Sequence, residues 1–198
     1  MFSLRGAPAH SDARRARLLR TLQELVPSLR ELTSEFVYLY QADRALEPGE
    51  RYLAIATGFL APGKEQPGIR LLAVRDQLQI DDKNARVLAV HASPDAPGVD
   101  IGPVSGGAMV GAPLFSGVKF GDAATGAGVP VPPLDVTLGI AATGSQSPAA
   151  AFDIKTIAGQ RLIAVAIGAL APAQGQQSFR LALVETQKWP WTVTSISP

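Results

Sequence analysis

Four side chains capable of acid–base or ligand chemistry fall within ten positions: His91, Ser93, Asp95 and Asp100, in the stretch VHASPDAPGVDIG at 90–102. A serine, a histidine and a carboxylate are the parts of an acyl-transfer triad, in which the acid orients an imidazole that takes the hydroxyl proton. The same carboxylates, joined by Asp81, Asp82 or Asp122, could instead offer oxygens to calcium. A third use needs no ligand. Pro94 and Pro97 preset φ, and Ser and Asp oxygens accept backbone N–H groups, which together make a turn between strands.

The spacing favours the turn. Ser93 is followed by proline, which has no N–H to lend to an oxyanion hole. No G-x-S-x-G elbow exists, and the only other histidine is His10. No D-x-[DN]-x-[DN]-G loop is present, and one histidine with carboxylates is a poor transition-metal set. No catalytic residue, cofactor or metal is therefore assigned. His91, Ser93, Pro94, Asp95, Pro97 and Asp100 are read as a structural motif, with Asp95 and Asp100 the remaining metal candidates. Two alternatives stay open: a small hydrolase using His91 with Ser93 or Asp95, and a calcium-stabilised binding domain.

The elements around the motif read as β. In ARVLAVHA (85–92), Val87, Ala89 and His91 share one face and Leu88, Val90 and Ala92 the other. Candidate strands follow at 36–42, 51–57, 69–75, 85–91, 98–101, 113–118, 134–142, 150–156, 161–167, 178–185 and 191–196. Short strands with frequent turn signals predict a mainly β chain of antiparallel β-sandwich units, Ig-like or Greek-key in type. The connections are too poor in helix formers for a parallel α/β fold.

Two segments coincide without a gap at an offset of 110. GERYLAIATGFLAPGKEQPGIRLLAVRDQ (Gly49–Gln77) and GQRLIAVAIGALAPAQGQQSFRLALVETQ (Gly159–Gln187) are identical at 13 of 29 positions. This reads as a tandem unit of strand, Gly/Pro/Gln loop and strand. The later copy starts at Ala85, whereas nothing in 1–48 resembles ARVLAVHASPDAPGVD, so the first copy is expected to lack its front. Leu18, Leu22, Leu25, Leu29, Leu32 and Phe36 instead form one helical stripe. Ser11 or Asp12 can cap its start and Pro27 interrupts it, which predicts a helix over 12–26. The expected organisation is an N-terminal arm with an amphipathic helix at 1–35, a truncated β repeat at 36–80 and a complete β-sandwich at 84–198. The truncated repeat would expose an open sheet edge, a surface for self-association unless the helix covers it.

Composition removes other classes. Eighteen Lys+Arg against 17 Asp+Glu give a net charge of +1, which is no footprint for nucleic acid. Cysteine is absent, so disulfides and thiolate chemistry are excluded. The longest apolar run, Leu162–Ala173, is shorter than the roughly 20 residues a membrane-spanning helix needs. The N-terminal residues lack the continuous apolar region of a signal peptide. SGGAMVGAP (105–113) has no following Lys-Ser/Thr, so it is no phosphate loop. KWPWTV (188–193) sets Trp189 and Trp191 around a proline, a candidate binding surface for a protein or polysaccharide partner.

The stretch ARVLAVHASPDAPGVDIG also resembles the signature of a bacterial family, domain of unknown function 4397 (DUF4397). PLFSGVKFGDA (113–123) is similar to that family's L…GV-x-FG segment, and IAGQRLIAVAIG (157–168) to its later strand. The resemblance covers about 85–187, with 36–77 as the tail of a preceding copy. It implies an extracellular or envelope-attached β-sandwich, often in tandem, with no established activity and no catalytic residues to carry over.

Overall fold

A computed structural model describes Glu47 and residues 49–59, 62–63, 66–124 and 126–198. The expected arm and helix at 1–35 and the expected strand at 36–42 lie outside these residues. Within them the protein is mainly β and contains no helix. No helix there is long and apolar enough to cross a membrane.

The chain divides into two units. In the described residues the first holds Glu47, 49–56 and Ile69–Arg75, and the second holds Thr57–Gly68 and Asp76–Pro198. Strands β1 (Tyr52–Thr57) and β2 (Arg70–Arg75) pair into a two-stranded sheet. Arg75 closes the first unit locally through Glu47 at 3.0 Å and Glu50 at 2.8 Å. Both acids are well exposed, so these pairs contribute little to stability.

The second unit builds two five-stranded sheets. One has the order β12 (Thr192–Ile196), β11 (Arg180–Glu185), β10 (Arg161–Ile167), β3 (Ala85–His91) and β7 (Val129–Val131). The other has β5 (Ala108–Met109), β4 (Val99–Ser105), β8 (Asp135–Ala142) and β9 (Pro148–Lys155), with β6 (Phe115–Val118) also on β4. Pairing in both sheets is antiparallel with one exception. Strands β3 and β10 run parallel, in register from Arg86↔Arg161 to His91↔Ala166. This departs from the expected all-antiparallel arrangement, because the chain crosses to the other sheet and returns before laying β10 beside β3.

One apolar core takes side chains from both sheets: Val87, Ala89 and Leu162 from the first, and Ile140, Phe152 and Ile154 from the second. Alternation along each strand puts these residues on one face. The opposite faces of β3 and β10 are also buried, at Leu88, Val90, Ile163 and Val165. That explains their unbroken Val/Ile/Leu/Ala sequence, which suits strands covered on both sides. Ala89, Ala164 and Ala166 leave an apolar void of about 40 Å³ against Leu138 and Phe152. Its lining is apolar except at Thr156, whose hydroxyl is held by the Pro132 carbonyl, so little is left to orient a ligand.

The segments related by an offset of 110 adopt the same local geometry. Phe59 and Gly68 form a parallel bridge, as do Ala169 and Ser178. Phe59 N–H donates to Pro67 O at 3.0 Å, and Ala169 N–H to Gln177 O at 2.9 Å. Gln66 Oε1 accepts from Gly63 N–H at 2.9 Å, as Gln176 Oε1 does from Ala173 N–H at 2.9 Å. Gly58 and Gly168 both have positive φ, 102° and 81°. At Gly168 a Cβ would come within 2.3 Å of Ser178 O, so glycine is required both by conformation and by space.

Candidate functional site

Strand β3 delivers His91 to the start of the SPDAPG loop, where Pro94 stops further ladder bonding. The imidazole is only 1% exposed. Its Nε2 lies 2.8 Å from the Pro97 carbonyl, which can only accept, so the proton sits on Nε2. Nδ1 then accepts from Ser93 N–H at 3.3 Å. Both ring nitrogens hold the same loop closed, and Phe120 packs edge-on at 6.2 Å. Burial pushes the imidazole below its ordinary pKa, with the Pro97 bond and the charges of Asp122 and Asp95 acting in the other direction. The ring is therefore a neutral structural group.

Ser93 is fully buried. Its hydroxyl donates to Asp95 Oδ1 at 3.3 Å, while the neighbouring imidazole engages its backbone N–H instead. The imidazole does not face the Oγ proton, which goes to the Asp95 carboxylate instead, so the geometry of a Ser–His–acid triad is not met. Asp95 reaches across the loop to the β10–β11 connection. Its Oδ1 accepts from Leu170 N–H and its Oδ2 from Ala171 N–H, each at 2.8 Å.

Asp100, on β4, ties β6 to the β8–β9 turn. Oδ1 accepts from Gly117 N–H at 2.7 Å and Ser116 Oγ at 2.9 Å, and Oδ2 from Gly144 N–H at 2.8 Å. The Gly144 and Gly117 bonds hold its carboxyl below the ordinary Asp value against the opposing effect of burial, and Ser116 adds to them. Gly117 and Gly144 present these N–H groups at φ of 63° and 81°, a region open to glycine.

The motif thus converges on loops and not on a cleft. Asp95 and Asp100 engage different segments, the β10–β11 connection for one and β6 with the β8–β9 turn for the other. Asp81 is held by Arg86 at 2.9 Å and by the backbone of Lys83 and Asn84, and Asp122 accepts from Lys119 N–H. Among the described residues no three His, Asp or Glu side chains gather where a cation could be held. Sequence reasoning placed a side-chain-stabilised turn here but missed the partners of Asp95 and Asp100. Apart from the Ser93 and Ser116 hydroxyls, those partners are backbone groups far along the chain, and no local signal marks them.

Trp189 and Trp191 lie outside this constellation. Trp189 is 60% exposed and Trp191 half-buried, with rings edge-on at 6.4 Å just ahead of β12. Comparison of the chain with models of known protein families, with curated proteins and with solved structures finds no match.

Proposed function

We propose that this chain is a non-catalytic module of a bacterial envelope or extracellular protein, built as tandem Ig-like or Greek-key β-sandwich units, with a structural or adhesive role. One observation carries the reading. Every chemically capable side chain between His91 and Asp100 is engaged in fixing the protein's own loops. The resemblance of 85–187 to DUF4397 supports the envelope or extracellular setting. Trp189, exposed at the end of one sheet, offers an apolar face with a polar edge, the usual chemistry of a protein- or polysaccharide-binding tip.

The test is turnover. Purified chain is assayed against ester, peptide and glycoside substrates, alongside Ser93→Ala and His91→Ala. The expected result is no hydrolysis above background in any of the three, with the variants differing only in stability. Hydrolysis by the parent chain that disappears in either variant would overturn the proposal.

A further inference from the structure

The SPDAPG loop is closed by a bond that only a neutral imidazole can accept. His91 Nδ1 accepts from Ser93 N–H at 3.3 Å, while Nε2–H donates to Pro97 O at 2.8 Å. A proton added to Nδ1 turns that acceptor into a donor, and two N–H groups then face each other. The bond to Pro97 becomes charge-assisted and tightens, whereas the bond to Ser93 is lost. The ring cannot back away, because its backbone is fixed on two sides. His91 N–H donates to Asp122 O at 3.0 Å, and His91 O accepts from Gly121 N–H at 2.7 Å. Ala92 is fixed as well: its N–H donates to Ala166 O at 2.8 Å, and its carbonyl accepts from Thr57 Oγ1 at 2.6 Å. The displacement therefore falls on Ser93 and the residues after it. Among these is Asp95, which accepts from Ser93 Oγ at 3.3 Å and holds Leu170 and Ala171 N–H at 2.8 Å each.

We infer that His91 is an acid-sensitive latch: its protonation expels Ser93 N–H, draws the Asp95 carboxylate toward the imidazolium and releases the β10–β11 connection at Leu170 and Ala171. Two carboxylates face the ring, Asp95 from its own loop and Asp122 from the β6–β7 connection. Asp122 is tied within its connection by Lys119 N–H at 3.3 Å, and Lys119, whose stem passes Gly98, is the cation on that side. Asp95 is the carboxylate able to change partners, because Leu170 and Ala171 are exposed and water can satisfy their N–H groups. Burial holds the imidazole below its ordinary pKa, so the latch stays shut at neutral pH and opens only in acid. The released state takes the proton more readily than the closed one, so proton uptake and loop release favour each other. The inference goes beyond the functional reading above, and its failure would leave that reading standing.

The experiment is amide hydrogen exchange by NMR on the full chain from about pH 7.5 to about pH 5, with each rate corrected for the intrinsic pH dependence of exchange. Protection at Leu170 and Ala171 is expected to fall by up to about tenfold per pH unit below about pH 6.5, one proton being taken up per release. Phe152, buried in β9, stays at least about a hundredfold better protected at every pH, which separates loop release from general unfolding. In His91→Gln the pH dependence at Leu170 and Ala171 disappears. That substitution replaces a buried ring, so circular dichroism checks its folding. The parent chain supplies a second reading that needs no variant: the His91 ring protons titrate with the same midpoint as the loop release. Four results would each overturn the inference: protection in the parent chain that is flat with pH, release that persists in His91→Gln, a ring midpoint apart from that of the loop, or protection at Leu170 and Ala171 equal to that of Phe152.

Discussion

The strand pairs β1–β2 and β10–β11 carry closely related sequences in different surroundings. Their loops close with the same hydrogen bonds, at positions 110 apart and within about 0.1 Å of each other in the two clearest cases. Their burial differs. Along β10, Leu162, Ile163, Val165 and Ala166 are all buried, whereas the equivalent Tyr52, Leu53, Ile55 and Ala56 are half-buried or exposed. Strand β10 lies between β11 and β3, and no third strand joins β1 and β2 among the described residues. Loop geometry thus follows local sequence, since turn bonds span only a few residues. Burial follows the neighbours a strand acquires, which local sequence does not specify.

The sharpest way to break this comparison is one substitution made at both positions. Ala166→Asp puts a carboxylate at a site only 3% exposed, within the apolar core. It should cost about 4 kcal/mol or more and abolish the cooperative unfolding transition. Ala56→Asp, at the equivalent but exposed position, should change stability by no more than about 0.5 kcal/mol. Urea denaturation of the two variants decides the matter, and equal losses would show that the two strands are buried alike.

A smaller effect is expected from Asp95→Ala. It removes the carboxylate from Leu170 and Ala171 N–H, two exposed residues whose N–H groups water can then satisfy. The loss should be about 1–2 kcal/mol. Hydrogen exchange should quicken at 169–171 while Phe59 N–H keeps its protection. Exchange that quickened in both loops would mean that the motif supports them jointly.

The smallest effect concerns pH. His91 is neutral and buried, with a folded-state pKa below the 6.5 of an unperturbed imidazole. The unfolded chain therefore binds the proton first as pH falls. The stability due to a neutral His91 is fully present above about pH 6.5 and declines as pH drops through that value toward the lowered folded one. Denaturation midpoints across this range should fall in the parent chain and flatten in His91→Gln. A parent profile already flat would mean that the ring titrates as though exposed.

The strands were largely legible, because period-2 alternation and Gly/Pro punctuation are local signals. The expected 85–91 and 161–167 match β3 and β10 residue for residue. Strands β5 and β7 were missed: two residues carry no period, and Pro130 argues against a strand. The parallel β3–β10 pairing was also hidden, since partner choice between distant strands leaves no trace in either one. At the motif, the residue types suggested a turn, yet the reach of Asp95 to Leu170 and of Asp100 to Gly144 comes from tertiary placement alone.

The parallel pair has a kinetic consequence. Arg86 and Arg161 can meet only after the long intervening segment has been gathered, so closing this contact carries a large entropic cost before any ladder bond forms. Strands β8 and β9 are joined by a short antiparallel turn and can form early. Strand β10 then docks late beside β3, completing the middle of its sheet and not an edge. Until that step, β3 waits with one side unpaired and both faces apolar, which makes the interval before docking the moment of greatest aggregation risk.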